Sequence, residues 1–251
     1  VWFWWLLEGC AKRLPDPAVA IAAAAATSDR AWEDRATGGL DPVGAPLLEA
    51  RNLYPGDPSL GWRLVRWRIA EGNAATEPTA ARDAFAEGRT EMLTCLDGDP
   101  LFAQQRPGAG WGEALHQLSV VRRPCAAWGA LAWVRWTTHL GPAATTLDLP
   151  AIDAIFTALD DDATVAEPLE WAQGLSLVLR PEWTGRDLPR GVQLLQRTAE
   201  RDRESVLRRL DVYAATRDPA LLDQLRKVTP QRPEDSGAWQ VFVTTDAGLG
   251  P

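Results

Sequence analysis

The chain has 251 residues and a net charge of −8, with 26 Lys and Arg against 34 Asp and Glu. That length supports a sizeable apolar core in one large domain or two small ones. An acidic surface repels phosphate backbones, which argues against a nucleic-acid partner.

The apolar residues are largely Ala and Leu, which favour helix. Strand formers cluster at one place only, Val241-Phe242-Val243-Thr244-Thr245, which reads as an isolated strand. The start, Val1-Trp2-Phe3-Trp4-Trp5-Leu6-Leu7, is apolar but too short for a bilayer span. It runs into Leu7-Glu8-Gly9-Cys10, similar to the end of a bacterial lipoprotein signal, in which Cys10 carries the lipid. Residues 1–10 therefore read as a truncated lipoprotein signal, the alternative being a hydrophobic first turn packed on the body. With Cys10 lipidated, Cys95 and Cys125 remain as an even pair. An oxidising periplasm can join them; the alternative is two buried thiols.

Asp-Pro pairs at 41–42, 57–58, 99–100 and 218–219 each offer a capping oxygen followed by Pro in the first helical position. Leu149-Pro150 opens another segment. The expected helices are 17–36, 42–54, 58–71, 78–97, 110–119, 124–140, 149–160, 166–180, 188–201, 204–216 and 218–228. Residues 11–230 read as one helical domain and 231–251 as an irregular C-terminal tail. Arg63, Arg66 and Arg68, with Arg51 nearby, read as a solvated basic helix face. Segment 124–140 is apolar almost all round and is expected to be the most buried helix, with Trp128 and Trp133 largely inaccessible. Short helices with tight turns predict an all-α fold of stacked antiparallel hairpins, akin to degenerate tetratricopeptide repeats.

Little in the chain carries catalytic chemistry, and a non-enzymatic role is expected. The two His, His116 and His139, lack metal-ligand spacing. Asp160-Asp161-Asp162 lacks the alternation of a calcium loop and reads as a polar turn. Gly108-Ala109-Gly110-Trp111-Gly112 lacks the Lys-Ser/Thr of a phosphate loop. Cys125 in an apolar setting is a poor nucleophile. No metal or cofactor is implied.

The aromatic set is biased: thirteen Trp against two Tyr and five Phe. Trp suits the wall of an apolar cavity as well as a core. Trp128, Trp133, Trp136 and Trp171 are expected to border such a cavity, with Arg135 orienting the charged end of an amphipathic organic ligand. The other reading of Arg135 is an internal ion pair with an Asp or Glu. Small residues at Gly129, Ala132, Ala172, Gly174 and Ser176 would leave the space.

Pro124-Cys125-Ala126-Ala127-Trp128-Gly129-Ala130-Leu131-Ala132-Trp133 is followed by Leu147-Asp148-Leu149-Pro150-Ala151-Ile152-Asp153-Ala154-Ile155. Glu170-Trp171-Ala172-Gln173-Gly174, Arg180-Pro181 and Leu221-Leu222-Asp223-Gln224-Leu225 come next, with Ala84-Phe85-Ala86-Glu87-Gly88-Arg89 upstream. This order resembles the T component of TRAP transporter systems, a family of bacterial periplasmic lipoproteins. The resemblance spans roughly residues 40–228 and departs at Glu8 and in the tail after Val228. It implies cryptic tetratricopeptide-like hairpins, a lipid anchor and a homotrimer. It also implies hydrophobic channels that pass a small molecule to a TRAP solute-binding protein, the P component. The competing reading is a tetratricopeptide-like scaffold that binds a peptide or protein on a concave face.

Overall fold

The computed structural model describes residues 16–245. Among them the chain is all-α, with no strand. The helices are α1 (Pro17–Glu33), α2 (Arg35–Gly38), α3 (Asp41–Leu53), α4 (Pro58–Ala74) and α5 (Pro78–Asp97). They continue with α6 (Pro100–His116), α7 (Arg123–Thr137), α8 (Pro142–Leu159) and α9 (Ala166–Leu179). The last four are α10 (Leu188–Arg201), α11 (Val206–Thr216), α12 (Pro219–Leu225) and α13 (Pro233–Thr245). Val1–Pro15 lies outside the described residues, and with it the signal and Cys10 readings.

The Asp-Pro starts act as caps at three of the four positions. Asp57, Asp99 and Asp218 each accept from backbone N–H groups in the first turn that follows. Asp41 is instead the first residue of α3, and Leu40 stands at its cap. Two helices differ from the expected bounds. Most of the 110–119 segment belongs to α6, which starts at Pro100, bends where Gly110 takes φ 83° and ends at His116. Only a residue without a Cβ adopts that angle freely. The 149–160 segment belongs to α8, which starts at Pro142 and carries Pro150 inside it. The Thr145 and Thr146 hydroxyls donate to the carbonyls of Gly141 and Pro142, tightening the turn ahead of the Pro.

The C-terminal segment corrects two expectations. Residues 233–245 are helical, so neither the irregular tail nor the isolated strand at Val241–Thr245 exists there. Packing overrides the β-branched bias of these five residues. Gly237 lies against the end of α4 so closely that a Cβ on it would meet the Ala74 carbonyl oxygen at 2.2 Å. On the other side, Phe242 stacks edge-on to Tyr213 of α11, their centroids 5.6 Å apart. Gly237→Ala is therefore expected to push α13 off α4 and cost about 1–3 kcal/mol, as overpacking does. Urea denaturation reads the change; an unchanged midpoint would rule out this close approach.

At the centre is α7, with ten of its fifteen residues buried. It packs on α4, α5, α8 and α9. The Sγ atoms of Cys95 on α5 and Cys125 on α7 are bonded, with Cα atoms 6.4 Å apart. Arg180, at the Arg-Pro turn, holds Asp153 at 2.6 Å and so fastens the end of α9 to α8. A second apolar cluster joins α3 to α4 through Val43, Leu47, Leu60, Leu64 and Trp67. A third joins α11 to α12 through Val206, Leu210, Tyr213 and Leu225. No described helix is long and apolar enough to cross a membrane.

Candidate functional site

The basic cluster on α4 is not a solvated face. The Arg63, Arg66 and Arg68 side chains are only 15, 13 and 18 % exposed. Indole rings cover them and neighbouring acids neutralise them. Arg63 and Arg66 share Asp29 of α1, at 2.6 and 3.2 Å. Arg68 holds Glu71 and Glu87. Guanidinium and indole planes alternate in a stack running Arg63, Trp62, Arg66, Trp32 and Arg35, with separations of 4.1–4.9 Å. Burial pulls Arg66 down to about 10, against the opposing pull of Asp29, and so it stays charged at neutral pH.

The stack ends at a cavity of about 210 Å³. Helix α4 contributes Arg66, Ile69, Ala70 and Asn73 to its wall, and α1 and α2 contribute Trp32 and Arg35. Trp128 comes from α7, and Glu167 and Trp171 from α9. The remainder is Asp202, Ser205, Leu207, Arg208, Arg232 and Glu234, around α11 and the start of α13. Four guanidiniums thus face three carboxylates. Arg35 Nε donates to Glu234 Oε1 at 2.8 Å. Arg208 pairs with Glu167, and Arg232 with Asp202 at 2.7 Å. Burial pushes the Asp202 carboxyl up, but the bond and charge of Arg232 outweigh it and hold it below the usual range.

The sequence-predicted residues do not converge on one apolar space. Trp128 and Trp171 line the cavity, and Trp128, expected to be largely inaccessible, is half-buried there. Trp133 is core, 2 % exposed and packed against Trp111 at 5.3 Å. Trp136 lies beside Arg89, 4.8 Å from its guanidinium, and lines neither space. Arg135 makes the internal ion pair: its Nη2 donates to Asp211 Oδ2 at 2.5 Å, and Trp171 Nε1 donates to the same oxygen at 2.8 Å.

The small residues do not leave the expected void either. A Cβ on Gly129 would meet the Met92 side chain at 2.1 Å, and one on Gly174 would meet Leu195 at 3.0 Å. They serve close helix packing, and the cavity lies elsewhere.

Arg135 lines a second space, an open groove of about 410 Å³ with Phe85, Leu210, Tyr213, Ala238 and Phe242. Cavity and groove share two wall residues, Asn73 and Leu207. Asn73 is 8 % exposed, and its amide makes no hydrogen bond among the described residues.

Sequence reasoning missed Trp32, Arg35, Asn73, Arg208, Asp202 and Glu234. A signal existed on α4: Trp62, Arg66, Ile69 and Asn73 recur at helical spacing, a mixed polar and aromatic stripe where a core stripe would be aliphatic. No described cluster of His, Cys, Asp and Glu is grouped to hold a metal. No protein-family model matches the chain, and no curated protein does.

Proposed function

We propose that this chain is a non-enzymatic binding protein that takes a small amphipathic organic molecule into the cavity between α4, α7, α9 and α11. The carrying observation is the cavity wall itself. Three indoles beside paired guanidiniums offer a flat apolar surface and charged hydrogen-bonding groups in one partly buried space. The fuller reading is an accessory component of a TRAP-type transport system that passes its ligand to a periplasmic solute-binding protein. The support for it is the resemblance carried by residues 124–133, 147–155 and 170–174. The Cys95–Cys125 bond supports an oxidising compartment. A lipid at Cys10 and a homotrimer belong to that same reading.

Trp128 is the wall residue best placed to report a ligand. Isothermal titration with organic acids, amines and amino acids of the cavity's size is expected to find saturable binding. Trp128→Ala is expected to weaken it about tenfold, close to 1.4 kcal/mol, with little change in melting temperature. A folded protein that binds no member of the set would overturn the reading. One observation favours the scaffold alternative, namely the open apolar groove beside Phe85 and Phe242. Peptide binding that survives Trp128→Ala would put that alternative first.

A further inference from the structure

The cavity's charges and its unmet hydrogen-bonding groups narrow the ligand class, given that the binding reading holds. The unmet groups are of both kinds. Glu234 is 8 % exposed and holds Arg35 with one carboxylate oxygen, while its Oε2 has no partner. That oxygen needs a donor. Arg66 Nε is likewise without a partner and needs an acceptor. The Trp128 N–H, on a half-buried ring, makes no hydrogen bond among the described residues and can donate. The Asn73 amide, which has no hydrogen bond, can both give and receive.

The aromatic faces are unequally free. Trp32 is stacked by Arg35 and Arg66, both at 4.1 Å. Trp171 has Arg208 at 4.8 Å and Arg135 at 5.6 Å. Trp128 has no cation over its ring among the described residues. Trp128 packs partly on the core and lines the cavity, so it is the indole there that no guanidinium covers.

A simple organic anion would be drawn by the excess of guanidiniums, four against three carboxylates, but would not satisfy the whole wall. Its carboxylate would share a partly buried space with Glu167, Asp202 and Glu234, and it would leave the free Glu234 oxygen without a donor. An amine has the converse problem with four guanidiniums. We propose that the cavity is built for a zwitterion of the α-amino-acid type with a flat or bulky apolar side chain. The ammonium meets the carboxylate side at Glu234. The carboxylate meets the guanidinium side and the Trp128 N–H. Asn73 bridges the two, and the apolar body lies on Trp128.

Three probes that differ only in their charged groups test this by titration into the full chain. They are phenylalanine, 3-phenylpropionate, which lacks the amine, and 2-phenylethylamine, which lacks the carboxylate. Phenylalanine is expected to bind at least tenfold more tightly than either. Asn73→Leu, nearly isosteric, is expected to remove most of that advantage while leaving the melting temperature within a few degrees. If 3-phenylpropionate binds as tightly as phenylalanine, the zwitterion assignment is overturned and the amphipathic-ligand reading stands. If all three fail while another small molecule binds and loses affinity in Trp128→Ala, the assignment is again overturned alone. If no small molecule binds at all, both fall together.

Discussion

Replacing Asp211 with Ala is expected to destabilise the protein by about 3–5 kcal/mol, the usual cost of stripping one partner from a buried ion pair. One oxygen of this carboxylate accepts from both Arg135 on α7 and Trp171 on α9. The Arg135 and Asp211 side chains are only 15 and 9 % exposed. Without Asp211 a guanidinium remains next to the core with its charge uncompensated, and an indole N–H loses its acceptor. Urea denaturation of Asp211→Ala measures the loss, and a change below 1 kcal/mol would refute the argument. The double substitution Arg135→Met with Asp211→Leu should recover most of it, because an apolar pair of similar volume costs little where an unpaired charge costs much. The same carboxylate anchors a wall of the cavity, so Asp211→Ala should weaken ligand binding by more than its distance from the ligand suggests.

Removing the Cys95–Cys125 bond has the second large expected effect. The bonded residues lie 30 apart in sequence. A loop of that size constrains the unfolded chain by about 3.5 kcal/mol in the chain-entropy account. Cys95→Ala with Cys125→Ala should therefore melt roughly 10 °C lower than the parent. Parent protein unfolded in a strong reductant should match the double variant. Both cysteines are fully buried, and Gly61 lies so near that a Cβ there would be 2.8 Å from Cys95 Cβ. A melting temperature indifferent to reductant and to the double substitution would show that the bond does not form in the protein.

Helix existence was legible along most of the chain because its signals are local. An Asp before a Pro states a cap, and Asp57, Asp99 and Asp218 perform that role. The central place of α7 was legible from its composition for the same reason. The C-terminal helix was not, because Val241–Thr245 is helical only through contacts with α4 and α11, more than twenty residues away in sequence. Pro150 misled in a comparable way: a Pro reads as a start, yet α8 carries it internally. For the site, Trp128 and Trp171 were legible as aromatic wall candidates. Their partners were not. A carboxylate looks the same in sequence whether it meets solvent or Arg35, and Glu234 is 199 residues from that partner. Arg66 was misread as solvated because its shield, Trp32 and Trp62, is assembled from two helices.

The helix that carries Glu234 also decides when the site comes into being. Arg232 and Glu234 form one side of the cavity; Glu234 belongs to α13, the last helix of the described residues, and Arg232 immediately precedes it. Chains fold progressively from the amino terminus as they are synthesised. The α4–α5 and α9–α10 pairs can settle before residues 232–245 exist, leaving Arg35 beside an open gap where Glu234 will later sit. A growing chain thus holds most of the core without a complete pocket. On the binding reading proposed above, ligand capture waits until α13 has docked.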